Sequence, residues 1–134
     1  MDCVHGALRR ALRDVTRHYQ KHFRGSGVRA AQFSVLARLM GSEPVALTIL
    51  AHELEMDRTA LSRDLDLLEK KNWVRSRSED RDQRLRKVEL TPKGTAAAAG
   101  ALHGWKRAQA SVGKILDHPG IRIAPVAKGA NWNR

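Results

Sequence analysis

The chain has 134 residues, and 42% of them are hydrophobic, enough to bury a core in one domain of ordinary size. Lys and Arg number 25 against 14 Asp and Glu, a formal charge of +11, and so basic a domain is expected to meet a polyanion: nucleic acid or an anionic membrane surface. No run approaches the roughly 18 apolar residues that a spanning helix needs. The opening Met1-Asp2-Cys3-Val4-His5 lacks the charged-then-apolar layout of a secretion signal. These features disfavour a membrane and lead to the expectation of a cytoplasmic protein. The single cysteine cannot form an intrachain disulfide, which agrees with a reducing compartment. Two Phe, one Tyr and three Trp are too few for a single-strand binder that stacks bases on an aromatic platform.

The first predicted helix covers residues 3–23. Val4, Leu8, Leu12, Val15 and Tyr19 recur on one face, while Arg9, Arg10, Arg13 and Arg17 line the other. Gly25-Ser26-Gly27 ends it. A second helix is expected over residues 30–40, with Phe33, Leu36, Ala37 and Met40 on one side, before Gly41-Ser42-Glu43-Pro44 breaks the chain. Thr48 is the expected N-cap of a short helix to about Leu54, with Ile49, Leu50 and Leu54 facing inward. After the corner Glu55-Met56, Asp57 is expected to cap a helix over residues 58–71 with a Leu61, Leu65, Leu68 stripe. Two short helices joined by a tight turn form a helix-turn-helix pattern.

The periodicity then shortens. Residues 73–76 and 85–90 are predicted strands, and the polar stretch between them makes a hairpin with a long basic tip. Thr91-Pro92-Lys93-Gly94 opens a last helix, capped by Thr91, which is expected to run past Trp105 to about Leu116. His118-Pro119-Gly120 stops it, and residues 121–134 show no clear period.

This order suits duplex DNA. A helix fits the major groove, and its first turns come nearest the base edges. Arg58, Thr59, Ser62 and Arg63 share the face opposite the leucine stripe; arginine can pair two donors with guanine, and the hydroxyls can bond a base edge or a phosphate. At the hairpin tip, Arg77, Arg81 and Arg84 are placed to follow a minor groove or grip phosphates, and Asp82 to hold a neighbouring arginine, Arg84, in one rotamer. The competing reading is a solvated charged surface.

These residues resemble the MarR family of bacterial winged-helix regulators. Ala31-Gln32-Phe33-Ser34-Val35-Leu36 is similar to that family's second helix. Leu50-Ala51-His52-Glu53-Leu54-Glu55-Met56-Asp57-Arg58-Thr59-Ala60-Leu61-Ser62-Arg63 resembles its helix-turn-helix. Asp82-Gln83-Arg84, followed by Leu90-Thr91 and Pro92-Lys93-Gly94, resembles its wing motif, the most specific match. The resemblance implies a mostly α fold with a small β-hairpin wing: a winged helix-turn-helix over residues 1–120. Its DNA-binding lobe would span about residues 30–92, between long dimerisation helices at 3–24 and 92–117. It further implies a homodimer on a near-palindromic double-stranded operator, acting as a repressor released by a small phenolic or lipophilic effector or by an oxidant. Residues 121–134, with Pro125 and Gly129, depart from the leucine-rich helix that ends most members, which leaves dimer strength and the tail's role open.

Other residues admit two readings each. Cys3 matches the place of a peroxide-sensing thiol in some members, with His5 and Arg9 near in sequence. That subgroup's tyrosines on the second helix are absent, however; Phe33 stands there. His18 and His22 have a metal-ligand spacing without a completing ligand, so a surface pair is favoured and no metal is expected. His52-Glu53 begins like a zinc-protease signature but lacks its second histidine, since residue 56 is Met. Tyr19 and Trp105 are candidates for an effector pocket, with core or interface packing as the competing role. The alanine block at 96–99 suggests close helix–helix contact, as in a dimer seam, more than low complexity. No nucleophile–base pair, apolar carboxylate pair or phosphate-cradling glycine loop is present, so no catalysis and no cofactor are expected. The alternatives to a sequence-specific regulator are a protein-interaction or nonspecific architectural module and an RNA-binding factor.

Overall fold

The leucines at helical spacing converge. Leu36, Leu50, Leu61, Leu65 and Leu68 have no exposed surface, and Phe23, Phe33, Val35, Leu39, Val74 and Val88 close around them. Full burial of one such side chain is worth about 1.5–3 kcal/mol, so this cluster is the main force holding the helices together. A computed structural model describes residues 3–78 and 86–115. Helices α1 (Val4–His22) and α2 (Ala30–Leu39) lead into strand β1 (Val45–Ala46). Helices α3 (Leu47–Glu53) and α4 (Arg58–Lys70) follow, then strands β2 (Val74–Arg77) and β3 (Lys87–Leu90) and helix α5 (Pro92–Ser111). The strands form an antiparallel sheet in the order β1-β3-β2, with Val45 opposite Val88 and Arg75 opposite Glu89. The fold is mostly α with a winged helix-turn-helix arrangement, as the sequence led us to expect.

Local chemistry sets the helix ends. The Asp57 carboxylate accepts from the Ala60 N–H at 3.1 Å, and the Thr91 hydroxyl accepts from the Gly94 N–H at 3.0 Å, with Pro92 in the first turn. The corner between α3 and α4 takes a left-handed residue at Glu55, and the turn out of α4 takes one at Asn72. Gly94 and Gly104 allow close approach of backbones. A Cβ on Gly94 would lie 1.8 Å from the Trp73 carbonyl oxygen, and one on Gly104 would lie 2.2 Å from that of His22. Gly94 thus seats α5 on the start of the wing, and Gly104 seats it on the end of α1.

Four expectations need correction. Thr48 does not cap α3: the helix begins at Leu47 behind Ala46, because residues 45–46 pair with β3 and the Leu47 N–H is taken by the Arg86 carbonyl at 2.8 Å. Ile49 points outward, 53% exposed, while Leu47, Leu50 and Ala51 fill the inner face. The small residues that α5 buries are Gly94, Ala98, Ala101, Gly104 and Ala108, so only Ala98 of the alanine block is fully buried and the seam runs within one chain. Finally, α5 gives way to a 3₁₀ turn at Val112–Lys114. Leu85, Leu116 and the tail at 121–134 lie outside the described residues.

Candidate nucleic-acid interface and cleft

With Leu61, Leu65 and Leu68 committed to the core, the helical period of α4 turns Thr59, Ser62, Arg63 and Asp66 away from it, while Arg58 stands in the first turn beside the leucine stripe. Arg58, Thr59 and Arg63 are exposed, and Ser62 is half-buried. Neither Arg58 nor Arg63 has an acidic partner among the described residues. The positive end of the helix dipole points the same way, which favours an anion beside the first turn.

The wing root is more constrained than its sequence suggested. Arg75 Nε lies 2.6 Å from Glu89 Oε1, its cross-strand neighbour, and Arg77 Nη2 lies 3.7 Å from the same oxygen. Arg77 is still 72% exposed, so the contact biases its side chain without burying it. Arg81, Asp82 and Arg84 lie outside the described residues, and with them the pairing of Asp82 to Arg84.

Sequence reasoning missed Arg86. Its side chain is only 13% exposed, and the guanidinium spans α4: Nη1 donates to Ser62 Oγ at 3.3 Å, and Nη2 lies 3.2 Å from Asp66 Oδ1 and 3.3 Å from Glu69 Oε1. The Ser76 hydroxyl donates to Glu69 as well, joining β2 to the same network. One signal could have exposed it. Strand side chains alternate, and Val88, two residues on, is fully buried, so Arg86 shares the inward face.

A cleft of about 650 Å³ opens between α1, α2 and α5. Tyr19 and Trp105 both line it, with Leu12, Phe33, Met40 and Leu102 among the apolar walls. Its polar side chains among the described residues are Thr16, Tyr19, Ser34 and Gln109, and none of the described lining residues is charged. The Tyr19 hydroxyl donates to Gln109 across the cleft, and burial raises the phenol above its ordinary pKa, so it remains a donor at neutral pH. The Trp105 and Phe33 rings stack with centroids 5.9 Å apart.

The remaining candidates fall as follows. Cys3 is exposed at the N-cap of α1, and its side chain makes no capping bond. His18 and His22 are not a free surface pair. Both are half-buried, and His18 Nε2 lies 3.1 Å from the Ala108 carbonyl and 2.9 Å from Ser111 Oγ, tying α1 to α5. Among the described residues no group of three His, Cys, Asp or Glu could hold a metal, and no helix is long and apolar enough to cross a membrane.

A winged helix-turn-helix that turns a basic helix face outward defines a class of nucleic-acid-binding domain. The comparisons with known proteins narrow it. The MarR family model matches residues 28–85. The Mycobacterium tuberculosis transcriptional regulator MosR in complex with DNA is 31% identical, with 84% of this chain and 85% of that one covered and a TM-score of 0.74. A mutant Escherichia coli MarR complexed with operator DNA matches at 24% identity, 83% and 80% coverage and a TM-score of 0.71. Bordetella bronchiseptica BpsR, whose DNA binding is regulated by 6-hydroxynicotinic acid, matches at 23% identity, 88% and 84% coverage and a TM-score of 0.74. Comparison with curated protein sequences finds no match. The chain belongs to the MarR family of transcriptional regulators.

Proposed function

We propose that this protein is a cytoplasmic, homodimeric repressor that binds a near-palindromic duplex operator and releases it when a small molecule occupies the cleft. It works by binding rather than by catalysis. One observation carries the DNA reading: α4 commits its leucines to the core while Arg58, Thr59 and Arg63 stay exposed, the arginines without acidic partners among the described residues. The relatives crystallised with DNA support it. On this reading residues 30–92 form the DNA-binding lobe, Arg58, Thr59, Ser62 and Arg63 enter the major groove, and Arg77, Arg81, Asp82 and Arg84 belong to the wing contact.

The dimer reading rests on α1. Val4, Leu8 and Leu12 make a stripe that one chain leaves uncovered, and such a stripe is costly to leave in water. The residues at 3–24 and 92–117 serve as the dimerisation helices. The effector reading rests on the cleft, whose size suits a small ligand. With no charged side chain among its described lining residues, it suits an uncharged phenolic or lipophilic compound better than a carboxylate. Cys3 has exposure enough for oxidation, but it makes no side-chain bond among the described residues that would tie a thiol to the DNA-binding face.

Titration of a site selected from random duplexes, against a scrambled duplex of equal length, tests the function. Preference for the selected site of about a thousand-fold or more, reversed by a neutral phenol that quenches Trp105, is expected. Equal affinity for both duplexes would instead mark a nonspecific architectural module.

A further inference from the structure

Resting on the reading that α4 faces duplex DNA, we propose that Arg86 is a positioning residue. It fixes Ser62 as a hydrogen-bond donor toward the DNA and fastens the wing root to the recognition helix. A serine hydroxyl has one hydrogen and two lone pairs, whereas a guanidinium can only donate. With Nη1 of Arg86 3.3 Å from Ser62 Oγ, one lone pair is occupied and the hydroxyl hydrogen must rotate away. No group among the described residues accepts that hydrogen, and Ser62 lies on the outward face between Thr59 and Asp66. Its complement on DNA is an acceptor: a phosphate oxygen, a purine N7, guanine O6 or thymine O4. The amino groups of cytosine and adenine would have to approach beside a cation.

The anchoring follows from geometry. Ser62, Asp66 and Glu69 stand at i, i+4 and i+7 on α4, and the two terminal nitrogens of Arg86 divide them, Nη1 to Ser62 and Nη2 to both carboxylates. The Arg86 carbonyl holds the first turn of α3 through the Leu47 N–H. One residue therefore joins α3, α4 and β3. It also offsets two carboxylates on a helix that must approach phosphate. A lysine has the charge but only one nitrogen, so it cannot divide the contacts in this way.

A double-mutant cycle on the full chain tests this: wild type, Ser62→Ala, Arg86→Met and the double variant, titrated on one selected duplex, with thermal melts confirming that each folds. Ser62→Ala is expected to weaken binding about 3- to 10-fold in the wild-type background, the range for one hydrogen bond. In the Arg86→Met background it should cost less than about 2-fold, because the unanchored hydroxyl has lost its orientation. Equal losses in both backgrounds, or no loss on Ser62→Ala, would overturn the proposal. If Arg86→Met fails to fold, Arg86→Lys, which keeps the charge and loses the fork, takes its place in the cycle. Duplexes carrying 7-deazapurines or single methylphosphonates separate the sources. Loss at one modified position in wild type, absent in Ser62→Ala, identifies a base N7 or a phosphate; 2-aminopurine in place of guanine and 5-methyl-2-pyrimidinone in place of thymine probe O6 and O4 in the same way, and no such position with any of the four modifications would count against the proposal. Wild type that prefers no duplex refutes the DNA reading itself, whereas a selective wild type with an uncoupled cycle refutes only the role of Arg86.

Discussion

Replacing Arg63 by alanine removes a guanidinium that has no acidic partner among the described residues, so little stability should go with it. The loss should instead appear in DNA binding: about 1–3 kcal/mol on the selected site, with one base preference relaxed. Titrations on single-base variants of the site check this, and an Arg63→Ala protein as discriminating as the parent would remove that residue from the interface. At this scale the sequence exposed what periodicity can expose. Thr59 and Arg63 follow from the leucine stripe opposite them, and Arg58 from its place in the first turn behind the Asp57 cap. Arg86 did not, because an arginine in a basic hairpin resembles its exposed neighbours until the burial of Val88 and the acids on α4 are known. Arg77 was readable as exposed, but its contact with Glu89 needs the cross-strand register.

Among the elements, α5 depends most on a single atom's space. Gly94→Ala would drive a methyl group into the Trp73 carbonyl, and the chain cannot yield there without moving the wing off α5. A loss of at least about 1–3 kcal/mol is expected, measurable by denaturant unfolding. A pH dependence is expected at the end of α1. His22 is held below the usual histidine range by desolvation first and then by His18, Arg107 and Lys21. The folded chain then binds fewer protons than the unfolded chain between that lowered value and the ordinary 6.5, so stability is full above this window and falls as the pH drops through it. Melting curves at pH 7.5 and 5 should show the wild type losing more than His22→Gln; identical losses would contradict the assignment. Helix caps at Asp57 and Thr91 were legible because capping is local chemistry. Strand β1 was not, since two residues carry no period and exist as a strand only through pairing with Val88 and Lys87. The same pairing displaced the start of α3 from Thr48.

For the whole molecule, the net charge and the uncovered α1 stripe make separate predictions. If about six to ten phosphates are contacted, affinity should fall roughly 10³- to 10⁵-fold between 50 and 200 mM salt. Leu8→Glu with Leu12→Glu should leave the core intact, both residues being exposed in one chain, yet yield a monomer by sedimentation that has lost the gain from a second half-site. The overall architecture was readable because hydrophobic period and turn residues agree along the chain, and the caps at Asp57 and Thr91 agree with them. Of the cleft, Tyr19 and Trp105 were named as pocket candidates from the sequence, but the other walls, Phe33 among them, were not, since they come from separate helices and only packing brings them together.

Selection of bound sites from a random duplex pool, with the mass of the selected complex measured, tests the central claim most directly. Two chains on an inverted repeat, with half-site centres about one helical turn apart, are expected if α4 lies in successive major grooves. A pool that stays random, or a single chain on an unrepeated site, would contradict the account.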